Sequence, residues 1–113
     1  MSDRDIHDAV DFLYTHGKKY AEARSHRVYL EEFRKSQKAM LMKKAIADGE
    51  AKSSAAAEME AYASEVYTEV LKGLEAAVKQ EEELRWALVS AQARIDVWRS
   101  QEASNRTMDK ITL

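Results

Sequence analysis

Imidazole and carboxylate groups near the beginning of the chain are the first residues whose spacing could support chemistry. His7 lies four residues after Asp3 and four before Asp11, so on a helix the three side chains would share one face. Such a face can hold a divalent metal ion weakly. Solvated charges near a helix N-terminus are the simpler interpretation. We therefore predict no metal site and no cofactor.

Glutamates form two further patterns. Glu22 and His26 are four residues apart, but the di-iron sites of helical bundles need two Glu-x-x-His motifs with further glutamates, and the sequence lacks that arrangement. Glu81, Glu82 and Glu83 are its one run of carboxylates. Glu81 could act as a general acid, but a polar residue that sets the register of paired helices is the plainer interpretation.

The sequence motifs of common catalytic and ligand-binding sites are missing. There is no glycine-rich phosphate loop, no HExxH, no paired CxxC, no GxSxG and no EF-hand loop. The chain has no cysteine, which excludes a disulfide framework, a thiolate zinc site and a cysteine nucleophile. We predict that the protein is not an enzyme, although an active site assembled across two subunits stays open.

A basic stretch in the middle of the chain could contact nucleic acid. The net charge is −2 overall but +5 over residues 17–48, with −3 before this stretch and −4 after it. On a helical wheel, five cationic side chains fall within an arc of about 100°. This basic stripe comprises Arg24, Arg27, Arg34, Lys35 and Lys38. Because Glu31 and Glu32 dilute it and the pI of 5.9 is low, the stripe can equally be the complement of acidic neighbours within the fold.

The composition predicts helices and no strands. The chain is 45% hydrophobic, has no proline and only three glycines, and is rich in alanine, glutamate, lysine and arginine, as long helices are. Glycine stops and serine caps divide it. The predicted helices span about 3–16, 18–47, 54–63 and 65–105. We predict one all-α domain over residues 1–105, an elongated helical bundle or coiled-coil-like hairpin, followed by a flexible tail over residues 106–113.

The last helix carries a coiled-coil seam. Its apolar residues follow an alternating spacing of three and four. The seam comprises Val70, Leu74, Ala77, Leu84, Leu88, Ala91, Ile95 and Trp98. A second stripe of Leu71, Val78 and Val89 widens the apolar arc beyond what one helix covers.

The length of this seam predicts a homodimer. A helix of 40 residues is about 60 Å long, whereas the preceding helix is about 45 Å long and can pack along only part of it. The remainder is then buried against a second copy, because twofold homodimers are the commonest oligomers. The alternative is a monomeric three-helix bundle with a solvated end.

A further surface lies on the other side of the last helix. Trp86, Ala93 and Val97 have the spacing i, i+7, i+11 and point away from Leu74 and Leu88. Aromatic anchors in small apolar patches are typical of protein interfaces. We predict a partner surface here; the alternative is that this face packs on the first helix.

Three stretches resemble small helical proteins encoded by tailed phages and prophages. They are Arg27-Val-Tyr-Leu-Glu-Glu-Phe-Arg-Lys-Ser (27–36), Glu83-Leu-Arg-Trp (83–86) and Ala91-Gln-Ala-Arg-Ile-Asp-Val-Trp-Arg-Ser-Gln-Glu-Ala-Ser-Asn-Arg (91–106). The resemblance spans most of the chain but carries no catalytic residue, because the function of those proteins is undefined. It implies a phage setting, in DNA replication or recombination or in inhibition of a host protein. It also implies a shared binding surface formed by Arg27, Arg34, Arg94, Arg99, Gln101, Glu102, Asn105 and Arg106.

Two functions follow from these patterns. The first is a non-enzymatic adaptor or inhibitor that binds a protein on a dimeric helical scaffold. The second is a nucleic-acid-binding accessory factor that uses the basic stripe. With no signal peptide, no apolar run of about 20 residues and no cysteine, the expected location is the cytoplasm and no membrane partner is predicted.

Overall fold

Three helices account for nearly all of the chain. The structure is a computed structural model, and it describes residues 2–112. Within that range α1 spans Asp3–Ala47, α2 spans Ser54–Ala63 and α3 spans Glu65–Thr112, with no strand. The predicted all-α class with two long helices is confirmed. None of the described helices is both long and apolar enough to cross a membrane.

The break predicted at Gly17 is wrong, because α1 continues through it and two predicted helices are one. Gly49 is the only described glycine with a positive φ, so Gly17 keeps ordinary helical geometry. A glycine inside a helix costs about 1 kcal/mol relative to alanine. Leu13 and Tyr20, partly buried and seven residues apart on one side of the helix, continue the packing across Gly17, and that burial outweighs this cost.

A capping box begins α1. The backbone N–H of Asp5 donates to the Ser2 hydroxyl at 3.2 Å, and the backbone N–H of Ser2 donates to the Asp5 carboxylate at 3.0 Å. These reciprocal bonds satisfy two donors that a helix N-terminus leaves unpaired. The hydrogen bond from the Ser2 backbone lowers the pKa of Asp5 below its ordinary value.

A glycine turn ends α1 at Ala47, as predicted. Gly49 adopts a φ of 78°, and its N–H donates to the carbonyl of Ile46 at 3.2 Å while the N–H of Glu50 donates to the carbonyl of Ala45 at 2.9 Å. This pair of bonds is a Schellman motif, which requires the left-handed conformation that glycine adopts at little cost.

Serine caps begin the other two helices at the predicted positions. The Ser53 hydroxyl accepts from the N–H of Ala56 at 3.1 Å, and the Ser64 hydroxyl accepts from the N–H of Val66 at 3.2 Å. The predicted end of the last helix near residue 105 is wrong, because α3 continues to Thr112. Neither glycine nor proline follows Gly73, so no residue type that breaks helices interrupts it.

The helices form two compact units. Residues 22–81 contain the second half of α1, all of α2 and the beginning of α3. Here Ala45, Ala51 and Ala57 form a buried cluster on which Met42 and Ala56 pack.

Lys38 joins α1 to α2 in this unit. Its ammonium lies 3.5 Å from the Glu58 carboxylate and 4.6 Å from the centre of the Tyr62 ring. A hydrogen bond with Tyr62, together with the charge of Glu58, raises the pKa of Lys38. The contact anchors α2 along α1.

The other unit contains residues 2–21 and 82–112. In it the beginning of α1 packs on the second half of α3. Ala9 and Phe12 from α1, with Ala87 and Ala91 from α3, line a groove of about 280 Å³. The small side chains allow the two helices to approach closely.

Alanine dominates the buried positions of both units. Of the ten buried apolar residues described, all except Ile6 and Tyr67 are alanines. No large side chain in the described range is fully buried. Packing within the chain therefore leaves much of the large apolar surface exposed.

Candidate interaction surfaces

The predicted seam of α3 is covered within the chain. None of its positions is exposed, since each is buried or partly buried: Val70, Leu74, Ala77, Leu84, Leu88, Ala91, Ile95 and Trp98. The premise that the preceding helix is only about 45 Å long is wrong, because α1 has 45 residues and is therefore about 68 Å long. Because α1 is uninterrupted, it supplies residues against α3 in each of the two units.

Arg27 and Glu81 form an ion pair in the unit of residues 22–81, in which Glu81 is buried and Arg27 is partly buried. Arg27 donates from Nε and Nη2 to the two carboxylate oxygens of Glu81 at 2.5 and 3.0 Å, and from Nη1 to Glu31 at 3.1 Å. The side chain of Glu81 is 8% exposed. Hydrogen bonding to Glu81, and then to Glu31, raises the pKa of Arg27.

Sequence reasoning placed these two residues in separate features and missed the pair. Arg27 was assigned to the basic stripe and Glu81 to the seam. A signal was present, because Arg27 lies seven residues after Tyr20 and fourteen after Leu13, on the side of α1 that is partly buried. A cation on such a side needs an acidic partner.

Two of the other four residues of the basic stripe also lie beside carboxylates of the same chain. Lys35 lies 3.2 Å from Glu32, and Lys38 contacts Glu58 as described above. Three of the five predicted cations, counting Arg27, therefore have acidic partners. Arg24 is exposed and Arg34 is partly buried.

The predicted partner surface on α3 is exposed. Trp86 is 58% exposed and Val97 is 50% exposed, and Ala93 lies between them, also exposed. This face therefore does not pack on α1, which was the alternative. The Arg85 guanidinium lies 4.6 Å from the centre of the Trp86 ring, so the indole has a cation on one side.

Three of the five arginines implied by the phage resemblance lie in two grooves. Arg94 lines the groove of about 280 Å³. Arg99 and Arg106 line a wider one of about 700 Å³ with Trp98, and Arg99 lies 3.9 Å from Asp96. All three arginines are exposed. Among the other residues of that surface Gln101 and Asn105 are exposed and Glu102 is partly buried. Arg27 and Arg34 belong to the other unit.

A longer uncharged stripe contains this partner surface. We call it the outer stripe: it begins at Trp86 and continues along α3 with alternating spacings of four and three. Its members are Trp86, Ser90, Ala93, Val97, Ser100, Ser104, Thr107 and Ile111, all exposed. None of the ten charged residues of the 82–112 segment lies on it. The sequence analysis missed how far this stripe extends, because a search for apolar residues at helical spacing does not detect serine and threonine.

No group of three or more His, Asp or Glu side chains that could hold a metal ion occurs in the described part of the chain. His16 stacks on Phe12 with a centroid distance of 3.8 Å, and His7 is exposed. The described residues form surfaces that could bind a partner, and we assign a catalytic role to none of them.

Comparisons of the chain with protein-family models, with curated proteins and with solved structures find no match. The function therefore has to be argued from the surfaces themselves.

Proposed function

We propose that the protein acts by binding a protein chain through the outer stripe of α3, without a catalytic step of its own. The observation that carries this proposal is the exposure of Trp86 and Val97 on a stripe whose own positions hold no charged residue, with the Arg85 guanidinium beside the Trp86 ring. Interface centres are depleted of charge and enriched in aromatic residues. Tryptophan is prominent among the residues that contribute most binding energy.

The alternative, nucleic-acid binding by the basic stripe, has less support. Arg27, Lys35 and Lys38 each lie beside a carboxylate of the same chain. Phosphates would have to displace these acidic groups, and affinity for nucleic acid comes largely from cations that neutralise phosphates. The basic stripe is therefore better suited to ion pairs within the chain than to binding the phosphates of a nucleic acid.

The phage resemblance supports a setting for this activity. We place the protein in the cytoplasm of a bacterial host, as a phage-type accessory protein that acts as an adaptor or inhibitor of a host or phage protein. The outer stripe alone could then bind the partner protein, because one helix face can dock on another helix or in a groove.

Photo-crosslinking tests the proposal. A photoreactive phenylalanine analogue replaces Ala93, on the outer stripe, and in a matched control it replaces Gln92, one residue away on another face of α3. We expect protein adducts in phage-infected cells from position 93, strongly reduced by Trp86→Glu, and none from position 92. Equal adducts from both positions, or none from either, would contradict the proposal.

A further inference from the structure

We infer that the occupant of the outer stripe is a second copy of this chain, with the two α3 helices antiparallel and crossing between Ala91 and Gln92. The inference rests on the proposed function, because it takes the protein chain that binds the outer stripe to be a second copy of this one. It differs from the dimer predicted from the sequence, which used the seam that α1 covers.

The period of the outer stripe indicates a helical partner. Positions spaced alternately by four and three repeat every 3.5 residues on average, which is the spacing that keeps one helix in contact with another. A partner in an extended conformation would not match this repeat. The stripe follows the repeat from Trp86 to Ile111.

The part of the stripe from Trp86 to Val97 is complementary to itself when reversed. In an antiparallel pair, positions equally far from the crossing point face each other. Ser90 then faces Ala93 of the second copy, and Trp86 faces Val97 of the second copy. Small side chains thus meet where the helices approach most closely, while the large indole meets a side chain of moderate size. Such alternation of large and small residues gives interlocking contact.

Charge favours the antiparallel orientation over the parallel one. The repeat extends one step before Trp86 to Glu83, and one step beyond Val97 to Ser100. A parallel pair in register would place Glu83 against Glu83 of the second copy, and like charges at facing positions are unfavourable. The antiparallel pair places Glu83 against Ser100 and also opposes the two helix dipoles.

The exposed area of the chain is large enough for this interface. The accessible surface is 8525 Å², whereas a compact protein of this mass exposes about 6300 Å². A stable interface buries about 800 Å² on each partner, well within the difference.

Thiol trapping tests the inference, because the chain has no cysteine of its own. Ser90→Cys and Ala93→Cys are purified separately with tags of different mass, mixed, equilibrated and oxidised. We expect a disulfide between the two variants to dominate over either homodisulfide. Gln92→Cys, the matched control on another face, should give only background. Sedimentation should show a dimer whose Kd rises at least about tenfold with Trp86→Glu, at unchanged helical content.

Each other outcome has a defined meaning. Homodisulfides of Ser90→Cys and of Ala93→Cys in place of the mixed species would overturn the antiparallel arrangement. A monomer mass at several hundred micromolar, with no disulfide above background, would overturn the second copy as occupant. Adducts from position 93 with a different protein would still uphold the proposed function in that case, so the two failures are distinguishable.

Discussion

At the scale of single residues, the ion pair between Arg27 and Glu81 constrains how the 22–81 unit packs. A buried carboxylate that loses its partner, or a buried cation that loses its carboxylate, is costly because the remaining charge stays out of water. Glu81 receives both guanidinium bonds in one geometry, so the pair fixes how α1 and α3 are aligned along each other in that unit.

Replacement of Glu81 tests this role. We expect Glu81→Leu to lower the free energy of unfolding, because the Arg27 guanidinium loses two hydrogen bonds to Glu81 and keeps only the one to Glu31. The double variant with Arg27→Leu should recover part of the loss, because it also removes the guanidinium that had lost its Glu81 partner. Urea unfolding of the four proteins of this mutant cycle measures the coupling; simple additivity would show that the two residues do not act as a pair.

The capping carboxylate of Asp5 predicts a dependence on pH. Its pKa is lowered in the folded state from the ordinary 3.8, so its stabilising contribution is complete above that value and is lost as the pH falls through the folded-state pKa. Thermal melting should show a lower midpoint for Asp5→Ala than for the wild type at pH 7. The difference should shrink toward pH 2.5. A difference that stayed constant with pH would argue against the carboxylate as its source.

At the scale of the helices, short sequence patterns determine where a helix ends, but they do not determine whether α1 continues through Gly17. Ser53, Ser64 and Gly49 mark ends that short sequence patterns identify, because capping needs only neighbouring backbone groups. Gly17 resembles such an end in sequence, but its conformation depends on what packs against the flanking turns. Propensity favours a break there, and tertiary packing prevents one.

The three glycines should therefore respond differently to alanine. We expect Gly17→Ala and Gly73→Ala each to raise the free energy of unfolding by about 0.5–1 kcal/mol, because nothing lies within 4 Å of the added methyl group. Gly49→Ala should lower it by about 1 kcal/mol, since φ there is 78° and the left-handed region disfavours side chains. Guanidinium titration compares the three, and a loss of stability at Gly17 would indicate a kink in solution.

The binding surfaces were only partly predictable from the sequence, because a sequence pattern shows which residues share a helix face but not which helices contact each other. Trp86, Ala93 and Val97 share a helix, so their spacing alone puts them on one face. The partner of Arg27 lies on another helix 54 residues away, and no local pattern gives the register of α1 against α3. The wider stripe required knowing which side of α3 stays exposed.

For the molecule as a whole, the distribution of charge argues against a role on DNA. The net charge of +5 over residues 17–48 is reduced by two carboxylates from outside this stretch, Glu81 beside Arg27 and Glu58 beside Lys38. The chain as a whole carries both signs of charge, with a net charge of −2. Electrostatic steering toward a polyanion needs a continuous field of one sign.

Fluorescence anisotropy with labelled single- and double-stranded DNA checks this expectation. We expect a Kd weaker than about 100 µM at physiological salt, the weak end of the range for non-specific binding. The double variant Arg24→Ala, Lys35→Ala should change nothing measurable. Submicromolar binding with a steep salt dependence, lost in that variant, would instead favour the nucleic-acid function.

The buried alanines have a calorimetric consequence. Unfolding exposes little apolar surface at each methyl group, and the heat capacity change of unfolding scales with the apolar area exposed. For the separate chain we expect a change below the usual value of about 12–15 cal/mol/K per residue. Its stability curve should accordingly be broad, so that the fold tolerates both warming and cooling with a modest margin at every temperature.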